Sequence, residues 1–367
     1  MKSMYRTLFV FFVATLLFQS CKKDEEGEEA PMVVEYDATP YDLQYSIDFP
    51  PPTIPQDNEL TVQGVRLGRM LFHTKLLSAD GSQSCASCHN QNTGFSDTAQ
   101  FSIGVNGLPG GRQAMTIANL AWNTNGFFWD GRAPLLRDQA LLPIQDELEM
   151  DETLENVISK LNQNQGVKDQ FVRAFGSSEI TSERMGLAME QFMNSIVSMN
   201  SKYDRFLSGM EALTESEERG RLLYFTEYNP FFPDQSGADC AHCHGGANFE
   251  NDQYMNNGLD SDAEMEDDGR MDVTDDPTDK GRFKVVSLRN IALTPPYMHD
   301  GRFQTLEEVV AHYNEGIVSS STVDPAILAT QETGLMLDAQ EQSDLVAFLE
   351  TLTDYSFQDV IEYSDPN

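Results

Sequence analysis

The chain has 367 residues, in which 24 Lys and Arg stand against 59 Asp and Glu, so the formal net charge is −35. Hydrophobic residues make up 40% of the sequence and aromatic residues 10%, which argues against collagen-like, coiled-coil and wholly disordered classes. A surface this acidic repels phosphate backbones, and we expect no nucleic-acid partner. The length suits two ordinary domains.

The amino-terminal segment is typical of an export signal. An apolar run over 8–18, preceded by basic residues, is too short to cross a bilayer and fits the core of a secretory signal. Cys21 follows it and resembles the lipidated cysteine of a bacterial lipoprotein, the alternative being an ordinary signal with an incidental cysteine. We expect a signal peptide over 1–21 and an acidic, proline-rich tether over 22–57. These features predict a protein of the cell envelope, outside the cytoplasm, held at the outer membrane by a lipid anchor alone.

The other four cysteines lie in two copies of the pattern Cys-x-x-Cys-His. The first copy is Cys85, Cys88 and His89, and the second is Cys240, Cys243 and His244. Two thiols at this spacing can attach one haem covalently, and the histidine that follows can bind its iron. A zinc site and a thioredoxin-like thiol pair are the alternatives.

Other motifs repeat with the cysteines. Gly68-Arg69 and Gly220-Arg221 precede the two copies, and Asp130-Gly131-Arg132 and Asp300-Gly301-Arg302 follow them. The period of roughly 155 to 170 residues is too long for a solenoid and indicates an internal duplication. We therefore expect haem domains over 58–210 and 211–355, and a tail over 356–367.

The intervening segments have helical patterns. Thr305 and Glu308 form a capping-box signal ahead of apolar residues that recur at helical spacing up to Tyr313. Sustained two-residue alternation is scarce. The sequence predicts a mainly α fold of two cytochrome-c-like helical haem domains related by duplication. The acidic stretch over 260–279 reads as a solvated loop, since its spacing does not match an EF-hand.

The sixth ligand of each iron decides between electron transfer and catalysis, because only an iron with an open position binds a small oxidant. In the helix beginning at 306, Tyr313 lies on the apolar face and His312 lies off it, so Tyr313 is the better-aimed ligand. A core tyrosine without a metal role is the alternative, and Met298 is another candidate ligand. Of the remaining histidines, His242 lies inside the second motif between its two cysteines, and His73 and His299 lie outside both motifs.

The two haem motifs, together with residues 67–72, 128–132 and 286–301, resemble those of the bacterial di-haem cytochrome c peroxidases and the related MauG-type enzymes. The resemblance extends over 58–353. It implies two haem c groups with a calcium ion between them. It also implies that hydrogen peroxide reacts at the first haem and that electrons enter at the second.

Individual residues match those of the family. Trp129 matches a tryptophan between the haems, and Gln139 and Glu149 match the glutamine and glutamate above the peroxidatic iron. The resemblance assigns calcium to the carbonyls of Thr294 and Pro296. The third calcium ligand is usually an asparagine, and its position here is Gln113.

Two departures from the peroxidases point to the MauG-type members. Those peroxidases carry a histidine sixteen residues after the first motif's histidine, where this chain has Val105. A valine cannot bind iron, so the resemblance implies an open first haem. The classical peroxidases also carry a methionine where this chain has Tyr313.

Three functions follow as hypotheses. The first is a peroxidase that reduces hydrogen peroxide with electrons from a small cytochrome c or copper protein. The second is a MauG-type enzyme that oxidises residues of a partner protein. The third is an electron carrier without catalysis, which the open iron implied by Val105 disfavours.

Overall fold

The computed structural model describes residues 33–366, and the chain from Glu35 onward forms one compact unit. The predicted signal peptide, Cys21 and the first part of the tether lie outside the described residues. Within 33–366, no helix has both the length and the apolar character needed to cross a membrane.

The fold is mainly helical, as the sequence predicts. The described residues contain thirteen α-helices and a single antiparallel pair of two-residue strands, joined by short 3₁₀ turns and long loops. The elements are α1 Val62–His73, α2 Cys85–Cys88, α3 Leu136–Gln139, α4 Leu142–Gln145, α5 Leu154–Asn162, α6 Gln165–Phe175, α7 Ser182–Asn194, α8 Lys202–Leu207, α9 Glu215–Phe225, β1 Tyr254–Met255, α10 Met271–Thr274, β2 Phe283–Lys284, α11 Leu306–Glu315, α12 Pro325–Leu328 and α13 Ala339–Glu350.

Several helices begin at capping boxes, and the sequence predicts the one at Thr305. The Thr305 hydroxyl accepts a hydrogen bond from the Glu308 N–H at 3.2 Å, and the Glu308 carboxylate accepts one from the Thr305 N–H. These two bonds satisfy donors that the first turn of α11 leaves without a helical partner. α9 and α13 begin with the same reciprocal arrangement.

Both halves use the same helix crossing. A Cβ on Gly68 would lie 2.0 Å from the carbonyl oxygen of Ala188, and one on Gly220 would lie 1.9 Å from that of Asp344. The glycine of each Gly-Arg pair therefore lets α1 cross α7 in the first half and α9 cross α13 in the second, because any side chain there would overlap the partner helix.

The loops repeat the duplication as well. In each half, the same left-handed backbone positions occur after the haem motif, before a 3₁₀ turn and at a tight turn. The matched pairs are Phe95 and Phe249, Asn119 and Asn290, and Phe128 and Met298. A duplication read from sequence motifs is thus also a duplication of backbone conformation.

Each half has its own hydrophobic core. The first core runs from Val65 to Ile196, and the second runs from Tyr203 to Leu352. Tyr203 lies on α8 and packs in the second core, so the boundary falls near residue 200 and not at 210 as the sequence suggested. Phe206 of the same helix also packs against the second core, whose other residues come from distant parts of the chain.

The predicted tail is a folded strap over 355–366 that returns to the first half. Phe357 and Tyr363 belong to the first core, where both rings contact Phe95. The Arg69 Nε donates to the Ser364 carbonyl at 2.6 Å, and the His73 ring bonds the Tyr363 carbonyl at 2.9 Å. The arginine of the first Gly-Arg pair therefore holds the strap.

The described part of the predicted tether also contacts the folded body. Tyr41 packs against the first core, and the Thr53 N–H donates to the Ala121 carbonyl at 2.8 Å. The Trp122 indole donates to the Pro50 carbonyl at 2.8 Å. Residues 41–53 of the predicted tether are therefore part of the folded body.

Candidate haem sites and the bridge between them

The first cysteine motif lies on the wall of a cavity of about 1010 Å³, which residues of the second half also line. Cys85 and Cys88 are free thiols on α2, and His89 follows directly. The His89 Nδ1 lies 3.1 Å from the Phe95 carbonyl oxygen. A proton on Nδ1 would bond that carbonyl and leave the Nε2 lone pair for a metal, the usual arrangement of a ligating histidine.

The second motif repeats this geometry beside a cavity of about 240 Å³. The His244 Nδ1 lies 3.0 Å from the Val286 carbonyl oxygen and 3.3 Å from that of Phe249. Burial lowers the pKa of His244 to about 4, so the ring is neutral at physiological pH and can bind a metal. Cys240 and Cys243 line the same cavity.

The two alternatives to haem do not fit. The cysteine pairs line separate cavities, and within residues 33–366 no group of three or more His, Cys, Asp or Glu side chains could hold a metal ion. Burial raises the pKa of Cys85 and Cys240 to about 12, whereas thioredoxin-like thiols are acidic. Two thiols and a neutral histidine beside one cavity fit a covalently attached haem in each half.

Tyr313 lies on the wall of the second cavity. The helical pattern predicts it on the apolar face of α11. Burial raises the pKa of its hydroxyl to about 12. The Asn257 amide donates to the Tyr313 hydroxyl at 3.4 Å and contacts the Met298 sulfur at 3.3 Å, so both candidate ligands reach this cavity. His312 turns away and bonds the Asn257 carbonyl at 3.0 Å.

Gln139 and Glu149 line the first cavity together with His89. Burial raises the pKa of Glu149 to about 7; the nearby Asp146 carboxylate acts in the same direction, and Arg132 opposes it. A group with this pKa can both accept and release a proton at neutral pH. The Val105 N–H donates to the Glu149 carbonyl at 2.8 Å, so Val105 supports Glu149 through its backbone.

Trp129 lies between the two sites and lines both cavities. Its indole N–H donates to the Gln113 carbonyl at 2.8 Å, and its own carbonyl accepts from the Lys284 N–H at 2.7 Å. Gln113 belongs to the first half and Lys284 to the second, so both halves fix the tryptophan.

The three residues assigned to calcium line one cavity, but the Gln113 amide is bonded to other groups. Gln113, Thr294 and Pro296 all line the second cavity. The Gln113 amide, however, donates to the Ser96 hydroxyl at 2.8 Å and to the Asp97 carbonyl at 3.2 Å. Calcium binding by these residues stays a prediction.

Sequence reasoning missed a buried polar cluster at the boundary of the halves. Burial raises the pKa of Glu250 to about 7, while amides of Asn123 and Asn248 donate to its carboxylate. Lys284, 5% exposed, pairs with Asp252 beside it. In a chain with so many acidic residues, the sequence does not indicate which of them are buried, because their burial depends on packing between distant segments.

The helical fold, with a thiol pair and a histidine beside each of two cavities, defines a two-haem c-type cytochrome. The family model of the di-haem cytochrome c peroxidases matches residues 62–212.

Relatives extend the match over most of the chain. The methylamine utilization protein MauG of Methylophilus methylotrophus is 33% identical over 301 residues, which cover 81% of this chain and 84% of that protein. The cytochrome c551 peroxidase of Nitrosomonas europaea is 36% identical over 293 residues, covering 78% of this chain and 79% of that one.

A solved structure agrees. The crystal structure of a MauG-like protein associated with microbial copper homeostasis has a TM-score of 0.78 at 35% identity, and the match covers 89% of this chain and 99% of that chain. The chain belongs to the di-haem cytochrome c peroxidase family, as its sequence indicated. Membership implies an oxidoreductase with two haem c groups.

Proposed function

We propose that the protein reduces hydrogen peroxide in the first cavity and draws the electrons through the second. The observation that carries this proposal is Glu149, a carboxyl group with a pKa of about 7 in the cavity that His89 lines. A pure electron carrier has no use for a proton-transferring acid in the cavity that would hold the first haem.

Haem held by Cys85, Cys88 and His89 would supply the iron that binds peroxide and takes up the oxidising equivalents. The Glu149 carboxylate accepts the proton of the peroxide oxygen nearer the iron and returns it to the departing oxygen. The Gln139 amide donates a hydrogen bond that orients the peroxide. Burial suits the relay, because it brings the pKa of Glu149 close to the working pH.

Trp129 carries the second electron in this proposal. Its ring lines both cavities, and its backbone and indole are anchored in opposite halves. Fixed anchoring limits reorganisation when the residue passes an electron. Tyr313 is proposed as the sixth ligand of the second haem, since an anionic oxygen ligand favours the oxidised states of iron.

Oxidation of a partner protein is the second candidate. The tyrosine at 313 and the valine at 105 are the features that favour it, together with similarity to MauG proteins and to a MauG-like structure. In that reaction residues of the partner, and not a small electron-donor protein, would supply the electrons.

The cellular setting is also a proposal. We place the folded body outside the cytoplasm, held at the outer membrane by lipid on Cys21. Calcium bound by Thr294, Pro296 and Gln113 belongs to the same proposal.

Titration of the purified ferric protein with hydrogen peroxide tests the function. We expect a mixed high-spin and low-spin resting spectrum and a rapid reaction without prior reduction. Two low-spin irons that do not react would establish the electron carrier instead. Sustained peroxide turnover with a reduced cytochrome c would separate the peroxidase from the protein-modifying enzyme, which would turn over only with its partner.

A further inference from the structure

The loop that holds His89 depends on the packing of one buried ring. The His89 Nδ1 lies 3.1 Å from the Phe95 carbonyl oxygen, and the backbone of Met115 makes a smaller contribution. Phe95 has a φ of 60°, a left-handed conformation that is rare for a bulky residue. Such a conformation persists only when the surrounding structure fixes it. The side chains around the buried Phe95 ring therefore decide where its carbonyl points.

The carboxy-terminal strap supplies two of the rings around Phe95. The ring centroids of Phe357 and Tyr363 lie 5.5 Å and 6.2 Å from that of Phe95. Phe72 of α1 covers another side at 6.1 Å. The two strap rings also contact each other at 5.4 Å, so they form one aromatic surface against the loop.

Hydrogen bonds join the strap to the same loop. The Gln91 side-chain amide donates to the Phe357 carbonyl at 3.1 Å and to the Val360 carbonyl at 2.9 Å. In the opposite direction, the Gln358 amide of the strap contacts the Asn92 carbonyl. The loop and the strap are thus fixed to each other by backbone contacts as well as by rings.

The second half has an equivalent arrangement, built from a different part of the chain. Phe249, with a φ of 53°, is covered by Tyr224 at 6.0 Å and by Tyr203 at 5.8 Å. Tyr224 corresponds to Phe72, since each follows the crossing glycine of its helix by four residues. Tyr203 lies on α8, which follows α7, the last long helix of the first half. The strap follows α13, the last long helix of the second half.

The segments after α7 and α13 leave their helices in the same way. The Asn119 N–H donates to the Ile196 carbonyl at 2.9 Å, and the Asn290 N–H donates to the Leu352 carbonyl at 3.0 Å. Beyond these matched bonds, each segment crosses to the other half and covers its histidine loop. The strap is therefore part of the duplicated plan.

The two histidines differ in how much they depend on this packing. The His244 Nδ1 is nearer to the Val286 carbonyl, at 3.0 Å, than to that of Phe249, at 3.3 Å. His89 has its main hydrogen bond to Phe95 itself. A change in the packing of the phenylalanine should therefore affect His89 more than His244.

We propose that the strap is a positioning element for His89, which keeps the Phe95 carbonyl in place to accept the Nδ1 proton. The inference rests on the proposed function in taking His89 as the ligand of the first iron. A carbonyl that accepts this proton makes the imidazole a stronger electron donor. Stronger donation favours the ferric state of the iron that His89 binds.

The test compares holoprotein variants by resonance Raman spectroscopy and spectroelectrochemistry. Phe357→Leu removes a ring from Phe95 but keeps a buried apolar side chain. We expect the iron–histidine stretching band of the reduced first haem to move to lower frequency. The equilibrium of the first haem should shift toward the ferrous state at least about threefold, which is about 28 mV at 59 mV per tenfold change for one electron. The potential is measurable whether or not the first iron is open.

A second variant and a matched control separate positioning from stability. Arg69→Met frees the end of the strap from α1 without changing the core, and both readouts should move in the same direction as in Phe357→Leu. Phe171→Leu is the same substitution at a fully buried ring of the same core, where the ring contacts Phe175. This control should leave both readouts as in the wild type.

The second half provides the reciprocal experiment. Tyr203→Leu should leave the first haem unchanged and shift the potential of the second haem upward by less, because the Val286 carbonyl stays in place. Phe357→Leu should leave the second haem unchanged. Neither readout uses peroxide, so the role of the strap and the proposed peroxide chemistry can fail separately.

A first-haem potential and stretching band in Phe357→Leu that match those of the wild type would overturn the proposal. Equal shifts in Phe171→Leu would also overturn it, because the effect would then come from general loosening of the first core.

Discussion

Removal of the Glu149 carboxylate tests the proposed proton relay. Only the ionised carboxylate can accept the peroxide proton. With a pKa of about 7, Glu149 is about 9% ionised at pH 6 and about 91% at pH 8. The rate constant for the reaction with peroxide should therefore rise about tenfold over this interval, with a midpoint near neutrality.

A glutamate in water would give a different profile. With the ordinary pKa of 4.5, such a group is more than about 95% ionised at both pH values, so the rate would be flat. Burial and, to a smaller extent, the Asp146 carboxylate raise the pKa of Glu149 above this ordinary value, against the opposing effect of Arg132. Asp146→Asn removes the neighbouring negative charge and should move the midpoint to lower pH.

Stopped-flow absorption of the haem provides the assay. Glu149→Gln keeps the size of the side chain but cannot accept the proton, and we expect a loss of about 10² to 10⁴-fold and a flat pH profile. Glu147→Gln is the matched control, since that neighbouring carboxylate is more exposed to solvent. A wild-type rate that does not change between pH 6 and 8, or a Glu149→Gln variant as fast as the control, would refute the relay.

Three further predictions concern the other residues. Tyr313→Met should raise the reduction potential of the second haem in spectroelectrochemistry, while Tyr297→Phe in the same cavity should not; equal potentials would remove Tyr313 as a ligand. Trp129→Phe should slow oxidation of the second haem after peroxide addition but leave the reaction at the first haem unchanged, as rapid-mixing spectra can show. Phe357→Ala should lower the free energy of unfolding by about 3 to 5 kcal/mol in denaturant titration, because the ring is 1% exposed. Tyr355→Ala, at an exposed position of the same strap, should lower it by less than about 0.5 kcal/mol.

Local features of the fold were predictable because their causes lie within a few residues. The capping box of Thr305 and Glu308 and the helical spacing up to Tyr313 concern one or two turns of backbone. The placement of Tyr313 in the second cavity follows from that spacing. The glycines at 68 and 220 marked the duplication, although only the packed helices explain why glycine is needed there.

The ends of the chain were harder to predict. Phe357 and Tyr363 follow acidic and polar residues, with no pattern that assigns them to a core formed mainly by residues 65–196. The bonds from Arg69 and His73 to the strap join positions almost 300 residues apart. Sequence periodicity carries no information about such contacts.

The sequence by itself determined the chemistry that the protein can hold: two thiol pairs, each with a histidine, in a duplicated helical chain. Covalent spacing and helical repeat set these features, and both are properties of neighbouring residues. The tertiary structure alone decided that the thiol pairs face separate cavities, that Trp129 lines both, and that Glu149 and Glu250 are buried enough to titrate near pH 7. Burial and electrostatic surroundings arise from segments distant in the chain, and only folding brings those segments together.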